Sequence, residues 1–157
     1  MSTYGAFARL SWADRRLLVE AVLCLAVARL WVLLIPLRLL SRRLGRRGGE
    51  SSIAAHSDAT ARMLAHITWS LQAISHRLPW RCACIEQGIA AKRMLRRRRI
   101  ASTLYLGVAR SPEPDSQPTA HAWLRSGPLF ITGAPSHEQY TVVSSFADED
   151  EYCSARE

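Results

Sequence analysis

Residues 77–108 read RLPWRCACIEQGIAAKRMLRRRRIASTLYLGV, and within this run the chain changes from helix to strand. Pro79 closes whatever helix precedes it, because the residue before a proline is pushed out of the helical region. The spacing then predicts a helix from Cys84 to about Arg97. Cys84, Gly88, Ala91 and Leu95 fall at i, i+4, i+7 and i+11, so one face carries mostly small residues. Glycine inside a helix costs about 1 kcal/mol relative to alanine. A small-residue face holding one therefore implies a neighbour at close range. After Arg99 the period changes: Ile100, Leu104, Leu106 and Val108 occupy alternate positions, the mark of a strand with one buried face.

Working outward, the N-terminal side reads as helix. Ser11 to Asp14 has the Ser-x-x-acid form of a helix start, and Leu17 to Leu40 is apolar on nearly every side, broken by Glu20, Arg29 and Arg38. A membrane span needs about 20 apolar residues without central charge. A buried or interface helix kinked at Pro36 is therefore the better reading. Arg42, Arg43, Arg46 and Arg47 follow as a juxtamembrane cluster would, which keeps a membrane anchor as the alternative. Gly45, Gly48 and Gly49 stop this helix. A second helix spans about Ser57 to Arg77, with Leu64, Ile67, Leu71, Ile74 and Leu78 forming its core stripe.

Downstream, residues 111–119 (SPEPDSQPT) form a proline-rich loop, and AHAWLR (120–125), PLFIT (128–132) and YTVVSSF (140–146) read as strands. Ser126-Gly127 is the expected tight turn between the first two. Helices followed by an antiparallel sheet make the fold class α+β. The expected organisation is a helical, arginine-rich segment over 1–50, a core over 51–147 and an acidic tail over 148–157.

The chain has 157 residues and a net charge of +8, unevenly spread: residues 1–110 carry nineteen basic and five acidic side chains, the remainder two and eight. Arginine runs such as 42–47 and 96–99 read as solvated helix ends, favourable to the helix dipole. No nucleic-acid motif accompanies them, so no nucleic-acid partner is expected. An electrostatic role in holding an acidic partner surface is a lesser alternative. No secretory signal precedes the four cysteines, Cys24, Cys82, Cys84 and Cys153. The expectation is a cytoplasmic chain with free thiols. C-x-C is too tight for a usual zinc pair, and no second pair lies at suitable spacing, so no metal site is expected.

Thiol chemistry needs a thiolate, which a helix N-terminus and nearby positive charge favour. Cys84 meets both conditions, opening its helix with Arg81 three residues upstream; Cys82 has the weaker claim. Of the five histidines, His56, His66 and His76 sit on or beside the second helix. His121 lies mid-strand beside Trp123 and is the candidate base. A buried inert thiol with a strand-surface histidine is the plain alternative.

The run 77–108 followed by AHAWL (120–124) resembles the lasso-peptide leader peptidases, transglutaminase-like cysteine proteases that remove the leader from a ribosomally made precursor. The shared pattern is L-P-W-R-x-x-C, an arginine-rich helix, an alternating strand ending L-G-V, and H-A-W. The resemblance implies a transglutaminase/papain-like core in which a central helix carrying the cysteine packs on a small antiparallel sheet that supplies the histidine. It assigns Cys84 as nucleophile and His121 as its acid/base. An aspartate that orients the imidazole would fall twelve residues after the histidine, where this chain has Gly133. With a turn at Ser126-Gly127, Thr132 would face His121. The Thr132 hydroxyl, a carbonyl near Gly133, and His137 or Glu138 are the candidate orienting groups.

The resemblance further implies hydrolysis after a leader ending in threonine and one further residue, with no cofactor needed for the thiol chemistry and ATP dependence left open. It implies three partners: the lasso precursor, a small leader-recognition protein and an asparagine-synthetase-like cyclase. Apolar or arginine-rich helix ahead of Cys84, in place of a strand-rich recognition module, reads as the stand-alone peptidase half of a split system. The first helix is then a candidate contact for the recognition protein or the cyclase. Acyl transfer to an amine and a non-enzymatic scaffold are the competing functions.

Overall fold

The computed structural model describes residues 11–109 and 117–148. In chain order it contains α1 (Trp12–Leu34), α2 (Leu37–Leu44), β1 (Arg46–Arg47), α3 (Asp58–Ser75), α4 (Cys84–Arg96), β2 (Thr103–Ala109), β3 (Thr119–Ser126), β4 (Leu129–Thr132), a 3-10 helix (Ala134–Gln139) and β5 (Thr141–Ala147). The five strands form one sheet in the order β1-β5-β2-β3-β4, antiparallel at every pairing. The fold is α+β, as the change of period after Arg99 predicts.

The expected Ser11 cap forms, accepting from the Asp14 N–H, and Ser57 likewise accepts from the Thr60 N–H at the start of α3. Pro36 does more than kink the first helix. Ile35, ahead of it, is extended, and the chain restarts as α2. The core lies between α1, α3 and α4 and continues onto one face of the sheet; Ala21, Leu25, Ile67, Ile89, Leu104 and Leu124 are all fully enclosed. The charges that interrupt α1 turn toward α4. Glu20 pairs with Arg98 at 2.7 Å, and Arg29 with Glu86 at 2.7 Å. The arginine run 96–99 is therefore partly spent inside the fold, since Arg96 also binds Asp148 at 2.6 Å. Asp148, expected to begin a frayed tail, is in fact anchored by Lys92, Arg96 and Ser102. Residues 149–157, with Cys153, and most of the proline-rich loop lie outside the described residues.

The register of β4 differs from expectation. Ser126 pairs with Leu129, so Gly127 and Pro128 are the turn residues. Proline has no N–H for a ladder position, and Gly127 takes the positive φ of 54° that the first position of such a turn requires. The register then shifts: Arg125 pairs with Phe130 and Leu124 with Thr132, leaving Ile131 as the extra, bulged residue. Thr132 therefore faces Leu124 rather than His121, and from Thr119 to Trp123 the outer edge of β3 has no strand partner among the described residues.

Candidate active site

Cys84 is the first residue of α4 and is half-buried. Ala83, the residue before it, is extended and offers no capping side chain. Glu86 compensates from within the first turn: one carboxylate oxygen accepts from the Ala83 N–H at 3.2 Å, the other from Arg29 at 2.7 Å. This links the helix start to α1. The predicted small-residue face lies on the sheet. A Cβ on Gly88 would stand 2.6 Å from the buried Leu104 methyl, so glycine permits the contact. One turn further on, Lys92 reaches the Ser102 carbonyl at 2.8 Å. From Lys92 back to Gly88 the helix advances along β2 from Ser102 to Leu104. Cys84, a turn earlier on the same stripe, thus lies toward the end of the sheet where His121 pairs with Gly107.

His121 sits on β3 with its ring against Tyr140 (centroids 5.0 Å apart) and Trp123 (6.0 Å). Gly107, its cross-strand partner, leaves room for this aromatic group, because a Cβ there would come within 2.8 Å of both Trp123 and Tyr140. The imidazole Nε2 lies 2.9 Å from the Gly133 carbonyl. A carbonyl only accepts, so the contact assigns the proton to Nε2 and leaves Nδ1 as the acceptor. Gly133 has φ 74°, and a Cβ there would lie 2.5 Å from the Ala122 carbonyl. A backbone oxygen thus occupies the position where the resemblance implies a carboxylate. The Thr132 hydroxyl turns instead toward α4 near Gly88 and is buried without a hydrogen-bond partner. His137 bonds the Ala134 carbonyl through Nδ1 at 2.7 Å, and its ring packs on Phe130, so it does not orient His121.

Both Cys84 and His121 lie toward one end of the sheet. Strand alternation puts Leu104, Leu106, Ala122 and Leu124 on the face that receives α4. His121 shares the opposite face with Tyr105, Trp123 and Arg125. No hydrogen bond joins the sulfur to the ring among the described residues. A cavity of about 430 Å³ opens beside the helix start, lined by His76, Leu78, Trp80, Arg81, Cys82 and Gln87, among others, and not by Cys84 or His121. Burial, reinforced by Glu86, pushes the Cys82 thiol above its ordinary range, which weakens it as a nucleophile at neutral pH.

Three buried charged groups lie beyond the candidates read from sequence, because their partners are distant in the chain. Glu86 is held by Arg29. Lys92 lies 3.0 Å from Asp148, and burial lowers its pKa to about 8. Arg125 bonds the Tyr105 hydroxyl and the carbonyls of Ser51 and Gly127. Among the described residues no group of three or more His, Cys, Asp or Glu could hold a metal ion.

A family model described as the transglutaminase-like superfamily matches residues 22–145 of the chain. No curated protein and no solved structure matches it.

Proposed function

From the premise that the chain belongs to the transglutaminase-like superfamily, we propose that it is a cysteine peptidase that removes the leader from a lasso-peptide precursor. The observation that carries this reading is the His121–Gly133 bond. It leaves Nδ1 unprotonated as a base, with an orienting acceptor at the twelve-residue spacing of the family's aspartate. Catalysis needs tautomer and orientation from that third group rather than a charge.

Nδ1 of His121 takes the Cys84 proton, the thiolate attacks the amide carbon joining leader to core, and the tetrahedral oxygen takes the charge near the first N–H groups of α4. His121 protonates the departing amine as the C–N bond breaks, leaving the leader as a thioester on Cys84. Water, deprotonated by the same imidazole, then releases the leader acid and regenerates the thiol. The reading requires bound precursor to bring the His121 ring and the Cys84 sulfur together. Catalytic contacts commonly tighten only in the substrate complex. Presentation of the substrate by a separate leader-recognition protein is part of this reading. Delivery of the product to an asparagine-synthetase-like cyclase belongs to the same reading.

One observation favours a second reading, a non-catalytic scaffold of the same pathway: among the described residues His121 lies on the sheet face away from α4, with no hydrogen bond to Cys84. Incubation with precursor and recognition protein, read by mass spectrometry, separates the two. A peptidase gives leader and core peptides, loses this activity with Cys84→Ala, and keeps most of it with Cys82→Ala. Retained cleavage in Cys84→Ala, or binding of precursor without cleavage by the wild-type protein, overturns the peptidase reading.

A further inference from the structure

The outward face of α1 is apolar from Val19 to Leu34, with Trp12 a further turn back beyond Arg16. Trp12, Val19, Leu23, Leu30 and Leu34 follow one another at steps of seven and four, which places them on a single stripe, and Leu33 lies beside it. Each of these six side chains is more than half exposed. The 23-residue helix is long and apolar enough to cross a membrane. Its inner face, however, carries Ala21, Leu25 and Ala28 with no exposure at all, so α1 cannot leave the fold without dismantling the core.

Arginines stand at both ends of the stripe. Arg16 is near its start, and Arg38, Arg42, Arg46 and Arg47 follow its end; all five are exposed, and none makes an ion pair among the described residues. The two carboxylates of α1 are engaged within the fold, Asp14 by Ser11 and His66, Glu20 by Arg98. Pairing with a second copy of this helix, parallel or antiparallel, would set arginine against arginine with no free carboxylate between them. An exposed apolar stripe along a helix about 34 Å long, with cations at both ends that make no ion pair among the described residues, suits a deformable anionic surface.

We propose that this face of α1, continued by α2, seats the protein in the plane of an anionic lipid bilayer. The leucines enter the acyl boundary and the flanking arginines meet phosphate headgroups. The helix lies on the bilayer and does not span it, because its inner half remains the wall of the core. The proposal is independent of the chemistry at Cys84.

Sedimentation of the full chain with vesicles tests it, using phosphatidylcholine alone and an equimolar mixture with phosphatidylglycerol. Binding to the mixed vesicles, weakened by salt and absent from phosphatidylcholine alone, is expected. Leu23→Gln with Leu30→Gln lowers partitioning at least about tenfold, while each of Arg38→Gln and Arg42→Gln lowers it about fivefold on mixed vesicles. The arginine variants change only exposed side chains, so they read the surface even if the leucine pair perturbs folding. Equal or absent binding to the two vesicle types overturns the proposal. So does a concentration-dependent dimer abolished by Leu23→Gln and Leu30→Gln, which would assign the stripe to a second copy.

Discussion

Replacing Lys92 by methionine isolates the cost of a buried ammonium. Lys92 is the chain's single lysine and is 1% exposed; its Nζ lies 2.8 Å from the Ser102 carbonyl, 3.1 Å from the Phe146 carbonyl and 3.0 Å from Asp148. Burial lowers its pKa from 10.5 to about 8; Asp148 opposes the shift, and Arg96 adds to it. The folded chain therefore releases this proton at a lower pH than the unfolded chain. Between about 8 and 10.5 the unfolded state holds more protons, so this group's contribution to stability rises with pH through that window and levels off above it. At 1.36 kcal/mol per pH unit the full rise is about 3 kcal/mol. Methionine keeps the length of the side chain and has nothing to titrate. Cys24, Cys82 and Tyr105, whose pKa values burial raises, push stability the other way at high pH, but they do so in both proteins. Urea unfolding of wild type and Lys92→Met across this range reads the difference directly. Whatever offset separates the two at neutral pH, wild type should gain on the variant by about 3 kcal/mol as pH rises through the window. A constant difference, or a wild type that loses ground as pH rises, refutes the reasoning.

Restoring the family carboxylate by Gly133→Asp should destabilise the protein by about 2 kcal/mol or more, because the new Cβ would meet the Ala122 carbonyl at 2.5 Å in a φ 74° conformation. A melting curve checks this, and a more stable variant contradicts it. Gly88→Val forces α4 off Leu104 and should cost about 3 kcal/mol; unchanged denaturant stability would show that the close contact does not hold the helix. Arg29→Met leaves Glu86, 1% exposed, without its cation. The expected loss is about 3 kcal/mol, at the low end for a broken buried pair because Arg29 is itself 37% exposed. Adding Glu86→Gln to Arg29→Met should recover much of that loss, and an additive double variant would dismiss the pair.

What could be read from sequence follows from how local each signal is. The serine cap of α1, the small-residue face of α4 and the alternation of β2 depend on residues within a turn or two of each other, and the structure contains them all. Strand register depends on a turn and a bulge. A shift of the turn from Ser126-Gly127 to Gly127-Pro128, together with one extra residue at Ile131, moves Thr132 from His121 to Leu124. The facing of His121 was harder still. AHAWL places His121 and Trp123 on one side and Ala122 and Leu124 on the other, but both Trp123 and Leu124 are buried, so no polar alternation reveals which side α4 takes. Glu20, Arg29 and Lys92 look like interruptions in their helices because Arg98, Glu86 and Asp148 answer them from more than fifty residues away.

The most direct test of the central claim is covalent trapping by a leader-sequence peptide bearing a C-terminal aldehyde or chloromethyl ketone, with the modified residue located by peptide mapping. The account predicts one adduct, on Cys84, formed much more slowly in His121→Ala and still formed in Cys82→Ala. An adduct on Cys82, or a Cys84 adduct whose rate ignores His121, would contradict it.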